Sequence, residues 1–67
     1  MMIKVGDIVF KTRDNGTVNY SRIGLVLKVH NPDHSEEQFK VHFNGGIPAW
    51  WKKRYLHKIE GEKENDA

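Results

Sequence analysis

Five segments with strand-type patterning lie within the first 59 residues, each bounded by turn residues, and this dense spacing constrains the fold most. They are Val5-Gly6-Asp7-Ile8-Val9-Phe10, Ile23-Gly24-Leu25-Val26-Leu27-Lys28-Val29, Phe39-Lys40-Val41-His42-Phe43, Ile47-Pro48-Ala49-Trp50-Trp51 and Lys53-Arg54-Tyr55-Leu56-His57-Lys58-Ile59. Short β-rich runs at regular spacing, separated by Gly, Asn, Asp and Pro, specify a small all-β barrel or sandwich. A barrel of this size fills its interior with side chains and leaves no room for a buried active site. The expectation is a non-catalytic domain that binds on its surface.

A chain of 67 residues is one domain, near the lower limit at which a hydrophobic core alone can hold a fold. It has no cysteine, so no disulfide or thiolate–metal site can staple it. Stability must come from large side chains, and Phe10, Phe39, Phe43, Trp50, Trp51, Leu25, Leu27 and Leu56 are the expected core. Burying one such side chain contributes about 1.5–3 kcal/mol. The opening Met1-Met2-Ile3-Lys4 has no apolar run of signal-peptide length, and no stretch approaches the roughly 18 apolar residues of a membrane span. The chain therefore reads as soluble and cytoplasmic, with no membrane partner. Its charge is uneven. Residues 1–59 hold ten Lys and Arg against five Asp and Glu, whereas residues 60–67 hold four acids against one Lys. A basic body is the footprint of an anion-binding surface. The acidic end has no apolar residue before Ala67 and cannot offset its ordering entropy by burial. The expected organisation is a barrel over residues 1–59 and a disordered acidic tail over 60–67.

Along the chain, Ile8-Val9-Phe10 forms the body of the first strand, and a long polar loop from Thr12 to Tyr20 turns at Asp14-Asn15-Gly16. The second strand, residues 22–30, is apolar at nearly every position; such a strand bends to serve both halves of a barrel, with Gly24 as the expected bend. Asn31-Pro32-Asp33-His34-Ser35-Glu36-Glu37 is a polar loop. In the third strand Phe39, Val41 and Phe43 share one face, and Lys40 and His42 the other. Asn44-Gly45 is a strong two-residue hairpin signal. The fourth strand, residues 47–52, carries Pro48 and so belongs at an edge. Residues 53–56 fit a 3₁₀ turn, and residues 57–59 a short closing strand.

This order of elements resembles the SH3-like small barrel, and within it the Tudor and KOW type. The resemblance rests on Val5-Gly6-Asp7-Ile8-Val9 as the entry, Gly24-Leu25-Val26-Leu27-Lys28-Val29 as the second strand, Phe39-Lys40-Val41-His42-Phe43 as the third, and Leu56 with Ile59 as the close. It covers residues 3–59 and extends to small bacteriophage-encoded proteins with an aromatic pair on the fourth strand like Trp50-Trp51. It implies a five-stranded barrel with a 3₁₀ turn before the last strand, acting as a binding module. Signalling SH3 domains carry their ligand-binding Trp pair one strand earlier and an acidic first loop. Here that loop is mixed (Lys11, Arg13, Asp14), which argues against proline-rich ligands. A methyl-lysine cage needs converging aromatics and an acid; Tyr20, Trp51 and Phe10 offer rings, but no acid stands at a matching position.

Two constellations are candidates for function. Trp50 and Trp51 are adjacent on a strand and face opposite sides, so one belongs to the core and the other to the surface. An exposed Trp often marks a contact, so Tyr20, Trp50, Trp51 and Tyr55 are the candidates for a protein partner, the leading expectation. The alternative is nucleic acid, held by Lys28, Lys40, Lys52, Lys53 and Arg54: cations meet phosphates while interleaved rings stack on bases. His30 and His34 flank Asn31-Pro32-Asp33, but Pro32 precludes the helix on which such a His pair would bind metal. No Ser-His-Asp order, carboxylate pair or phosphate loop can be assembled, so neither an enzyme nor a cofactor is expected.

Overall fold

The computed structural model describes residues 2–31 and 36–59. The acidic segment 60–67 and the loop residues Pro32, Asp33, His34 and Ser35 lie outside them. The described chain is all-β: β1 (Ile8–Thr12), β2 (Val18–His30), β3 (Gln38–Phe43), β4 (Ala49–Lys52), a 3₁₀ turn (Lys53–Tyr55) and β5 (Leu56–Lys58). All pairings are antiparallel, in the order β4-β3-β2-β1-β5.

Period-2 alternation sorts the side chains. Ile3, Val9, Val26, Phe39, Val41, Phe43 and Leu56 are buried and form one core, with Trp51 packed against it half-buried. As the alternation of the third strand predicts, Phe39, Val41 and Phe43 point inward, while His42 is exposed and Lys40 half-buried. The sheet rolls up: Lys11 of β1 places Nζ 4.7 Å from the ring centroid of Trp51 on β4. Those strands stand three positions apart in the sheet, which in a flat sheet is about 14 Å.

The expected core needs revision at four residues. Trp50 (46% exposed), Leu25 (41%) and Leu27 (36%) lie on the surface, and Phe10 is only half-buried. On β2 the inward positions are Gly24 and Val26, so Leu25 between them must face out. Leu27 falls in a bulge, since Val26 pairs with Val41 and Lys28 with the next residue, Lys40. Length and greasiness suggested these leucines; the pleat assigned the interior to smaller valines. The register is regular at Gly24, the expected bend. β2 is irregular at Leu27 and again at residues 20–22, which are extra between the pairs Phe10–Ile23 and Lys11–Asn19. What Gly24 provides is room: a Cβ there would stand 2.6 Å from Val41 Cγ1 and 2.8 Å from Phe43 Cδ1.

Both turns also differ from expectation. The first loop is short, because β1 and β2 extend to a tight turn at residues 13–17, closed by Arg13 N–H donating to Thr17 O at 2.8 Å and Gly16 N–H to Arg13 O at 2.9 Å. Asn44-Gly45 does turn the chain between β3 and β4, with Gly46 N–H donating to Phe43 O at 3.1 Å, but the ladder resumes only at Val41–Ala49. A type I′ turn requires positive φ at both central residues, but only Gly45 (φ 77°) adopts it. Asn44 is committed elsewhere. Its Oδ1 accepts from Ile23 N–H at 3.1 Å and its Nδ2 donates to Ser21 O at 3.1 Å. The side chain thereby satisfies backbone groups that the β2 bulge withdraws from the ladder. Pro48, which lacks an N–H, sits just before β4 at the sheet edge.

Candidate functional site

Because Phe39 and Val41 point inward, Lys40 points outward, and its direct neighbours across the ladders share its face. Those neighbours are Lys28 on β2 and Trp50 on β4. One cross-strand row thus reads Lys28–Lys40–Trp50 on the outer surface. Two residues beyond Trp50, Lys52 lies on the same face, opposite Gln38. His30 joins them, its ring edge-on to Trp50 with centroids 6.2 Å apart. The resulting surface combines three ammonium groups and an exposed indole. Lys52 has a long ion pair with Glu36 (3.8 Å), both side chains about half exposed. Among the described residues, Lys28 and Lys40 have no carboxylate within ion-pair distance. Like charges directly opposite one another across a ladder are unfavourable, so this pairing opposes stability when no anion lies over it.

The other candidate residues lie elsewhere. Trp51 faces inward from β4 and packs its ring edge-on against Phe43 (5.8 Å) and Tyr55 (6.1 Å). Lys11 Nζ stands over both Trp51 and Tyr55, at 4.7 and 5.5 Å. Such a contact contributes about 0.5–1 kcal/mol at an exposed site and more where water is excluded. Lys53, Arg54 and Tyr55 form the 3₁₀ turn rather than extending the basic row, and the Arg54 guanidinium lies 5.1 Å from the Tyr55 ring. Tyr20, 67% exposed, sits in the β2 bulge and packs edge-on against Phe10 (4.9 Å) and His57 (6.5 Å). The four aromatic candidates therefore do not form one surface. Trp50 joins the lysines, Trp51 and Tyr55 flank Lys11, and Tyr20 stands with Phe10.

Three features were missed in the sequence. The Lys11–Trp51–Tyr55 contact joins residues 40 and more positions apart, with no local signal to announce it. Arg13, Asp14 and Gly16 of the first turn meet Arg54 and Tyr55 around a cleft. An outer apolar block also forms from Ile8, Phe10, Ile23 and Leu25, joined by the register pairs Ile8–Leu25 and Phe10–Ile23. Only the last could have been found, by carrying strict alternation through β1 and β2. No group of three or more His, Cys, Asp or Glu able to hold a metal exists among the described residues. His34, half of the His pair considered for metal, lies outside them. No described helix is long and apolar enough to cross a membrane.

Asp7 has a lowered pKa. It is lowered chiefly by the backbone N–H of Lys4, which donates to Oδ2 at 2.7 Å, and further by Lys58, whose Nζ lies 3.2 Å away. Partial burial opposes the shift. Lys58 also donates to Met2 O at 2.8 Å, so the pair ties the N-terminal segment to β5. That is a structural role, remote from the basic row.

No family model, curated protein or solved structure matches the chain. What the described residues define is a small five-stranded antiparallel β-barrel-like domain with its cations and rings displayed on the surface.

Proposed function

We propose that this chain is a non-catalytic binding module of the SH3-like small-barrel class, similar to those encoded by bacteriophages, and that it binds single-stranded nucleic acid in the cytoplasm. The observation that carries the reading is the outer row Lys28–Lys40–Trp50, with Lys52 beside it. Two lysines held side by side, with no carboxylate at ion-pair distance among the described residues, suit consecutive phosphates, and an exposed indole next to them suits a base. The row needs no sequence readout, because every base presents a face for stacking.

A protein partner, the leading expectation from sequence, has its own support in the outer block of Ile8, Phe10, Ile23 and Leu25 with Tyr20 beside it. Contiguous apolar surface on a soluble domain often marks an interface. Geometry favours nucleic acid, because Trp51 and Tyr55, two of the four aromatics proposed for a protein partner, are occupied by Lys11.

The test is fluorescence anisotropy with a short labelled oligothymidylate. If two or three phosphates are contacted, log K should fall against log salt with a slope of about −1.4 to −2. Trp50→Ala should weaken binding by about 1–3 kcal/mol, the value of one stacked base. Lys28→Glu is the sharper variant: it converts a like-charge pair into an ion pair with Lys40, so affinity should fall while melting temperature holds or rises. Absence of binding by the wild type at low salt would sink the nucleic-acid reading. Capture of a protein partner that depends on Tyr20 and Ile23 would then replace it.

A further inference from the structure

A second site lies at the end of the barrel, away from the Lys28–Lys40–Trp50 row. The turn after β1 and the 3₁₀ turn enclose an open cleft of about 450 Å³, lined by Thr12, Arg13, Asp14, Gly16, Arg54 and Tyr55. Its lining mixes charges in a particular way: two guanidinium groups, one carboxylate, a hydroxyl and a phenol. Both arginines have neutral partners only, and Arg13 is the more firmly held. Arg13 donates through Nη1 alone, to Thr17 Oγ1 at 3.1 Å and Val18 O at 3.3 Å. Arg54 lies over the Tyr55 ring and makes only a long contact, from Nη2 to the Tyr55 hydroxyl at 3.5 Å.

Among the described residues, neither guanidinium has a carboxylate within ion-pair distance, Asp14 included. Each therefore keeps most of its five N–H donors for a ligand. Holding Arg13 in place beforehand lowers the ordering cost of binding. Two guanidinium groups lining one cleft suit the oxygens of a phosphate, to which arginine donates two parallel hydrogen bonds. A simple anion would leave Asp14 facing it without a donor, and two like charges would meet. A ligand carrying both a phosphate and neighbouring hydroxyls resolves this, because hydroxyl groups can donate to the Asp14 carboxylate while the phosphate meets the arginines.

We propose that this cleft binds a phosphorylated ribose, with Arg13 and Arg54 on the phosphate and Asp14 on the sugar hydroxyls. The ligand chemistry has two sources, a free mononucleotide or the terminal nucleotide of a strand. The cleft shares no residue with the outer row, so the proposal stands or falls separately from the nucleic-acid reading given above.

The test follows backbone amide shifts by NMR while the whole chain is titrated with ribose 5-phosphate, inorganic phosphate, ribose and a 5′-mononucleotide. Saturable shifts confined to residues 12–17 and 53–55 are expected with ribose 5-phosphate, with inorganic phosphate about tenfold weaker, the scale of one lost charge-assisted hydrogen bond. Arg54→Gln should lower affinity for both phosphate ligands, whereas Asp14→Asn should abolish the preference for ribose 5-phosphate over phosphate. Amide spectra of each variant report directly whether the fold is kept. A 5′-phosphorylated oligonucleotide that shifts these residues more strongly than its unphosphorylated form assigns the site to strand ends; equal shifts from the mononucleotide assign it to free nucleotide. Absence of saturable shifts in the cleft, or equal response to phosphate and ribose 5-phosphate in the wild type, would overturn the proposal. Loss of oligonucleotide binding in Lys28→Glu with cleft shifts unchanged would confirm that the two sites are independent.

Discussion

Replacing Gly24 by alanine tests the register on which the outer row depends. A Cβ at position 24 would lie 2.6 Å from Val41 Cγ1, 2.8 Å from Phe43 Cδ1 and 3.0 Å from Phe43 Cε1. Ordinary carbon contacts optimise near 3.5–4.0 Å, so the two side chains must retreat by roughly 1 Å. Neither has much room to move: Val41 is fully buried and Phe43 nearly so, on the strand that carries Lys40. Overpacking of this kind typically costs about 1–3 kcal/mol. Against it stands a gain of about 0.4–1 kcal/mol, because alanine leaves the unfolded chain fewer conformations to lose. The net expectation is destabilisation of about 1–2 kcal/mol, read by urea or thermal denaturation. In a domain of this size that lowers the melting temperature by about 4–8 °C per kcal/mol. Val41→Ala in the same chain removes the nearest clashing atom. The double variant should therefore be less destabilised than the two single changes added together, by a coupling of about 0.5–3 kcal/mol. A Gly24→Ala protein as stable as the wild type would refute the β1–β2–β3 register, and with it the placement of Lys28 opposite Lys40.

Three further changes probe the fold at other points. Phe43→Ala should cost about 3–5 kcal/mol, enough to leave this small domain largely unfolded in circular dichroism at room temperature, since the ring packs on Trp51 and lies within 3% of full burial. Asn44→Ala should cost about 1–2 kcal/mol in chemical denaturation through loss of its bonds to Ile23 N–H and Ser21 O, and Asn44→Asp should be worse than its isosteric shape suggests, because it sets an acceptor against the Ser21 carbonyl. Asp7→Asn should cost no more than about 1 kcal/mol at neutral pH, as the Lys58 pair is partly exposed. Because the folded pKa of Asp7 lies below its ordinary value of 3.8, the wild-type advantage is present above that value and vanishes as pH falls through the depressed one. Stability curves of the two proteins that stay parallel down to pH 2 would contradict this.

The strand content was legible because the physics that forms a strand leaves a local imprint. Phe39, Val41 and Phe43 alternate with Lys40 and His42, and no competing period fits. Pro48 predicted an edge, and β4 is one. The errors lie where alternation breaks or where distant residues meet. Residues 20–22 and Leu27 are bulged, and a bulge is invisible to a period count because it changes phase without changing composition. Asn44-Gly45 turns the chain as its local preference indicates, with Gly46 N–H on Phe43 O, but the Asn44 amide is also engaged by Ser21 and Ile23, more than twenty residues away, which no local signal announces. Sequence alone names Lys28, Lys40, Lys52, Lys53 and Arg54 as candidates without saying which of them are neighbours. Only pairing could show that Lys28 and Lys40 stand face to face while Arg54 belongs to another part of the surface.

The Trp50–Trp51 step is where sequence, packing and the proposed binding meet. One residue of phase sends Trp51 inward, onto Phe43, Tyr55 and Lys11, where it helps close the end of the barrel. The same step sends Trp50 outward, beside Lys40, where a half-exposed indole adds little to the core. A chain this short has few large side chains with which to stabilise itself, and leaving one of its two tryptophans on the surface forgoes much of the roughly 1.5–3 kcal/mol that burying a large side chain contributes. Placing Lys28 opposite Lys40 on that same surface adds a second small cost. Two independent sacrifices of stability that converge on one patch are hard to account for by folding alone, because burial of Trp50 and an acid at position 28 would each relieve one. A ligand that is anionic and aromatic at once, as the proposed nucleic-acid strand is, would relieve both together.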